Sequence, residues 1–170
     1  MKKKFADMFR NFLDTVKVWF GLRRRKRISK AGDSETPKEE LLRLSRDLSH
    51  FVREEVALNP SIPREAAETL LKDSNSVVRQ MLAFNTNLPV DILERLSYDD
   101  DCDVKQYVAM NRRTPADTLV RLSKDTYPLV RMFVAGNPNT PYRVLEELGR
   151  DWSDYVRTCA SCEIARRNKN

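Results

Sequence analysis

Glycine is scarce in this sequence, with four in 170 residues, and the four lie far apart. No glycine-rich loop of the kind that cradles phosphates can be built from them. Histidine occurs once, as His50, near no obvious nucleophile. The three cysteines, Cys102, Cys159 and Cys162, are too few and too unevenly placed for a disulfide framework, so free thiols and a reducing compartment are expected. Cys159-x-x-Cys162 has redox or metal spacing, but a zinc ion or a cluster needs about four ligands. The other candidates, Cys102 and His50, sit in other parts of the chain, so packing and surface positions are expected for the pair. Asp99-Asp100-Asp101-Cys102-Asp103 lacks the glycine and the distal glutamate of a calcium loop and reads as an acidic inter-helix loop. No catalytic residue, metal or cofactor is assigned.

Long apolar runs are also missing. No window reaches the ~18 uninterrupted apolar residues of a transmembrane helix. After Met1-Lys2-Lys3-Lys4, Asp7, Arg10, Asn11, Asp14 and Lys17 break up what would be the core of a signal peptide. A cytoplasmic location is expected, with attachment to the inner membrane face left open.

What the sequence does have is a period. VRQMLAFNTNLP from Val78 recurs as VKQYVAMNRRTP from Val104 and VRMFVAGNPNTP from Val130, and VREEVALNPSIP from Val52 precedes them. Asn59, Asn85, Asn111 and Asn137 repeat every 26 residues, in step with Pro37, Pro63, Pro89, Pro115 and Pro141. Leu44, Leu70, Leu96, Leu122 and Leu148 keep the same step, as do Asp47, Asp73, Asp99, Asp125 and Asp151. A fixed period of this length marks a solenoid, in which each unit buries its apolar face against its neighbours. The fold class is therefore all-α, a solenoid of five two-helix units.

Within a unit, Asn85 to Pro89 is a turn, and Pro89 suits a helix start, where its missing N–H costs nothing. Leu93 and Leu96 point into the core from a first helix. Asp91/Arg95, Asp117/Arg121 and Glu39/Arg43 are spaced for (i, i+4) pairs. A second helix buries Val104, Tyr107 and Val108. Both helices are too short to be stable alone, so stacking must hold them. Ala57, Ala83, Ala109 and Ala135 form a small-residue column that suits close backbone approach. The Asn column suits turns, through local hydrogen bonds and tolerance of unusual dihedrals. Arg53, Arg79, Lys105, Arg131 and Arg157 keep step with the Asp column, which predicts an inter-repeat ladder of paired charges.

The pattern V-R-x-x-V-A-x-N-P-x-T-P-x-x-x-L-x-x-L, fullest from Val130 to Leu148, resembles the leucine-rich repeat variant family over about 130 of the 170 residues. The resemblance implies a right-handed superhelix of alternating α- and 3-10 helices, akin to armadillo and HEAT solenoids, that binds other macromolecules. One described member carries a cysteine-rich iron–sulfur segment ahead of its repeats. The segment ahead of the repeats here has no cysteine, so that cofactor does not carry over. Glu163 at the Asn position and Arg167 at the Pro position depart from the pattern and mark a terminal cap.

Charge divides the chain. Residues 1–36 hold eleven of the 31 Lys and Arg and four of the 25 acids, which leaves the repeats close to neutral. Phe5, Met8, Phe9, Phe12, Val16, Trp19 and Phe20 share one helical face. That helix is expected to stop near Gly21, ahead of Arg23, Arg24, Arg25, Lys26 and Arg27. The organisation expected is a basic amphipathic segment over 1–30, a linker over 31–36 and the solenoid over 37–170. Three readings of the segment are open: a cap on the first repeat, contact with an anionic membrane surface by Phe5, Phe9, Phe12, Trp19, Phe20 and the basic run, or nucleic-acid binding by that run.

On the second helix, Gln80 and Phe84 lie opposite the core residues Val78 and Leu82. Gln106, Met110 and Met132 are their equivalents. Phe84, Met110 and Met132 form a candidate apolar patch for a protein partner. The expected function is that of a non-enzymatic, monomeric interaction module, with a nucleic-acid-associated protein or an enzyme on a solenoid scaffold as the alternatives.

Overall fold

The computed structural model describes residues 21–169, which are helical throughout with short connections. Helix α1 covers 21–32. Five short helices follow, α2 (Lys38–Leu44), α4 (Arg64–Leu70), α6 (Val90–Leu96), α8 (Ala116–Leu122) and α10 (Tyr142–Leu148). They alternate with longer ones, α3 (His50–Leu58), α5 (Ser76–Phe84), α7 (Cys102–Met110), α9 (Pro128–Gly136) and α11 (Asp154–Arg167). Each long helix packs on the next long helix, so α3, α5, α7, α9 and α11 form one row. The short helices lie on its other side, and the fully buried Leu44, Leu70, Leu96 and Leu122 meet Val52, Val78, Val104 and Val130 between the two rows.

Sequence sets the ends of every helix. The prolines Pro37, Pro63, Pro89, Pro115 and Pro141 stand at the N-cap, one position ahead of the first helical residue, with φ between −72° and −56°. Pro89 has no N–H to satisfy, and its carbonyl accepts from the N–H groups of Ile92 and Leu93. Acids sit in the first turn of most short helices and a base in the last turn of three, matching the helix dipole. Both helices of each unit are α-helical. The 3-10 character implied by the family resemblance is confined to i→i+3 hydrogen bonds at helix ends, such as Asn59 N–H to the Val56 carbonyl.

The units are joined through two side-chain columns. Asn85 donates from Nδ2 to the carbonyls of Ala57 and Asn59 in the preceding unit at 2.8 and 2.9 Å, while its Oδ1 accepts from the N–H of Asn87 at 2.9 Å. Asn59, Asn111 and Asn137 do the same. Among the described residues no non-glycine has positive φ. The Asn column is therefore fixed by its hydrogen bonds, not by tolerance of unusual dihedrals. The buried Ala column lets the amide reach the main chain of the neighbouring unit.

The charge ladder forms as expected, and it runs forward along the chain. Arg79 donates from Nε and Nη2 to Asp99 of the next unit at 2.6 and 2.9 Å, and from Nη1 to the Asp73 carbonyl at 2.7 Å. The same Asp99 Oδ1 accepts from the Asp101 N–H at 2.9 Å. One carboxylate thus shapes a local turn and joins two units. Arg53–Asp73 and Arg131–Asp151 repeat the geometry, and Lys105 makes the single-point version with Asp125 at 2.7 Å. Arg131 is only 5% exposed, and its guanidinium holds the Asp151 carboxyl below the usual range.

At the N-terminal side the expected division at residue 30 is not what the molecule shows. α1 runs through Gly21 without stopping. Ala31 is fully buried in the core, and its carbonyl and that of Asp33 accept the Asn59 amide. Residues 31–36 are thus part of the solenoid and not a linker, and α1 occupies the place of a long helix ahead of the first unit. Arg27 Nε lies 2.8 Å from Asp47, one period before the Arg53–Asp73 rung. Asp33 takes the Asn position; its Oδ1 accepts from the Glu35 N–H at 3.0 Å, but a carboxylate has no amide to extend the ladder further back.

The last unit ends as a cap. Arg167 donates to the carbonyls of Thr140, Asn137 and Pro138 at 2.7, 3.2 and 3.0 Å. The Asn137 carbonyl is the one that an asparagine at position 163 would have met. Glu163 holds Arg167 Nε at 2.8 Å and Arg166 at 2.7 and 2.8 Å. These guanidiniums, Arg166 first, hold the Glu163 carboxyl down at about 2 against a model value of 4.5, although burial opposes them.

Replacing Asn111 by Ala leaves two buried carbonyls without donors and should cost about 2–4 kcal/mol in urea unfolding, whereas Asn87→Ala, at an exposed bond, should stay within about 0.5 kcal/mol. A carboxyl held low in the folded state stabilises it fully above pH 4.5 and loses that effect as pH falls toward about 2. Glu163→Gln should accordingly lower the urea midpoint at pH 6 and flatten its decline across that interval.

Candidate functional site

The two rows of helices present chemically opposite outer faces. Along the short-helix row, bases and acids alternate and bridge units: Arg64 pairs with Asp91, and Arg95 with Glu68 at 2.6 Å. The expected (i, i+4) pairs give way to these. Arg95 turns from Asp91 to Glu68, and Arg121 donates to the Ser97 carbonyl at 3.2 Å with its guanidinium 3.7 Å from the Tyr98 ring centroid. Arg43 pairs with Glu40, not Glu39, at 2.7 Å. Stacking brings partners of the neighbouring unit closer than those one helical turn away.

The long-helix row is different. Its solvent side is made by four columns, those of Val77, Gln80, Met81 and Phe84 in α5 and their equivalents one period apart. In α3, α5, α7, α9 and α11 these columns contain no Lys or Arg, and their acids are Glu54, Glu55 and Asp103. The contrast is sharp in a chain that is 33% charged. Helix geometry produces it: the ladder base sits one residue after the buried Val, about 100° round the helix, and leans toward the loops where the Asp column waits. The bases of these helices are thereby drawn off the face.

Phe84 and Met110, predicted as patch residues, are 51% and 41% exposed. Phe84 meets the Tyr107 ring edge-on, with centroids 5.9 Å apart. Beside them a groove of about 320 Å³ is lined by Gln80, Asp103, Gln106, Tyr107, Met110 and Phe133. Gln106 donates to Asp103 at 2.8 Å across its rim. Met132 is half-buried against the core and adds less to the surface than its column suggested. Tyr107 is not a buried core residue; with Phe133 it walls the groove. The signal was in the columns, because the equivalent position in the first unit is Glu55, and a core-facing column does not hold a glutamate.

Of the basic run, Arg27 is taken up by Asp47, and the Arg24 guanidinium sits 5.6 Å from the Phe51 ring centroid. Arg25 and Lys26, with Ser29, Lys30 and Asp33, line an open hollow on α1, and Lys30 pairs with Glu40 at 3.0 Å. Arg23 is exposed. Phe5, Phe9, Phe12, Trp19 and Phe20 lie outside the described residues. Elsewhere the acidic run is used structurally, with Asp99 on the ladder and Asp101 capping α7 through the Asp103 and Val104 N–H groups. Cys102, Cys159 and Cys162 are free. Burial is the main force pushing the Cys102 and Cys159 thiols up, helped at Cys102 by Asp103 and Asp101.

Fold and face together define a helical-repeat protein with one charge-rich and one apolar outer surface. Among solved structures it is similar to a leucine-rich repeat variant with a novel repetitive protein structural motif, at 29% identity over 73% of this chain and a TM-score of 0.39. The match spans 60% of that chain's length. No family model matches the sequence, and no curated protein does.

If the division into surface and core is right, Phe84→Ser and Met110→Ser should each change unfolding free energy by less than about 0.5 kcal/mol. Phe133→Ala, which opens the groove wall against the core, should cost about 2 kcal/mol in the same denaturant titration, roughly half the range for a fully buried phenylalanine.

Proposed function

We propose that this chain is a protein-interaction module that holds a partner segment along its long-helix face. The observation that carries this reading is the row of exposed apolar side chains on that face, Phe51, Val77, Phe84, Met110, Leu129 and Tyr155, running through all five units without a base among them. Contiguous apolar surface of this kind is costly in water and is a mark of interaction sites. The two glutamines and Asp103 at the groove supply the polar groups that fix orientation.

Nucleic acid fits this face poorly. Binding a phosphate backbone requires free cations, and the bases of the repeats are engaged in the ladder or the short-helix row. Attachment to an anionic membrane is a second reading, supported by the exposed Arg25 and Lys26 on α1. In that arrangement the lipid-facing helix is also the first layer of the solenoid, so the membrane would orient the repeats directly.

The test compares proteins co-purifying with the full chain and with its Phe84→Ser/Met110→Ser variant, quantified by mass spectrometry at matched bait levels. A partner of this face is lost by tenfold or more when both anchors are truncated, at about 1–2 kcal/mol each. Equal recovery on both baits assigns the partner to another surface.

A further inference from the structure

The long-helix face asks for a ligand that is basic and aromatic, and the chain carries such a segment itself. Residues 1–20 contain Lys2, Lys3, Lys4, Arg10 and Lys17 against Asp7 and Asp14, together with Phe5, Phe9, Phe12, Trp19 and Phe20. The face offers Glu54, Glu55 and Asp103 among exposed apolar side chains. Signs and surfaces are complementary.

The geometry also brings the two together. α1 is the layer next to α3, and Arg24, four residues after residue 20, lies over Phe51 at the margin of this face. The chain therefore enters α1 beside Phe51, Glu54 and Glu55. A 20-residue helix is about 30 Å long, and three helix-to-helix steps of about 8–10 Å, from α1 past α3 and α5 to α7, cover a similar length. The segment is long enough to pass Phe84 and reach the groove at Met110 and Asp103.

We infer that residues 1–20 dock in cis on the long-helix face, with their aromatic side toward Phe51, Phe84 and Met110 and their bases toward Glu54, Glu55 and Asp103. The segment then occupies the surface that a partner needs, and an anionic membrane or a partner must displace it. This rests on the reading of the long-helix face as the binding surface.

The sequence has two tryptophans, so Trp152→Phe in the full chain leaves Trp19 as the reporter. Acrylamide quenching is measured on this chain and on a synthetic peptide of residues 1–20. The expected result is a blue-shifted Trp19 with a several-fold lower quenching constant than the peptide, independent of protein concentration. In the same background, Glu54→Lys/Asp103→Lys and Phe84→Ser/Met110→Ser should each return Trp19 to the peptide's value without loss of helical circular dichroism. Peptide-like quenching in the parent chain overturns the inference. So does protection that survives both face variants, which places the segment elsewhere, or protection that rises with concentration, which makes the occupant a second copy. Failure here is distinct from failure of the interaction reading: a partner lost from the Phe84/Met110 variant while Trp19 is quenched like the peptide removes only the cis docking.

Discussion

The buried asparagine amide is the constraint on which the rest of this solenoid depends. A seven- or nine-residue helix is too short to hold itself in water, so each unit must draw order from its neighbour. Apolar burial supplies the attraction without fixing a register. The Asn amide fixes it, because its two donors reach carbonyls 26 and 28 residues back and its oxygen closes a turn two residues ahead. A shift of one residue along the chain would leave those buried carbonyls unpaired. The alanine column follows from this demand, since a larger side chain would hold the two main chains apart.

The charge ladder performs a similar task at the other end of the long helix, and it has a second consequence. Each arginine leans toward an aspartate in the following unit, and the carboxylate that receives it also shapes the loop into the next helix. Bases that could have lined the solvent side of the long helices are thereby held at the loops. What remains outward is apolar with a few acids. The structural solution to stacking thus leaves one face able to bind and the other heavily charged.

Both ladders end by chemistry written into the terminal layers. At one end Asp33 keeps the acceptor that closes the turn but lacks the amide that reaches backward. At the other, Arg167 satisfies the last open carbonyls while Glu163 holds it in place. A solenoid without such endings would expose unpaired main-chain groups at its end, an invitation to add another unit or another molecule. The N-terminal ending also ties the basic run to the repeats. Arg27 is a rung, so that run and the solenoid move as one body.

The sequence by itself determined the period, the helical class, the pairing of the Arg and Asp columns and the cap at Glu163 and Arg167. These are legible because identical layers place identical residues in identical surroundings, and a column read across units reports one environment several times over. The start of the solenoid was harder to read. Lys26 and Lys30 stand where Val52 and Val56 would be, so the valine columns do not extend to α1, and burial of Ala31 appears only when Asn59 is placed against it. The same holds for Arg95, whose partner by helical spacing is Asp91 but whose partner in space is Glu68. Tyr107 likewise reads as core along its own helix and becomes a groove wall beside Phe84. Tertiary structure decided these points because distances between layers, set by stacking, are independent of separation along a single helix.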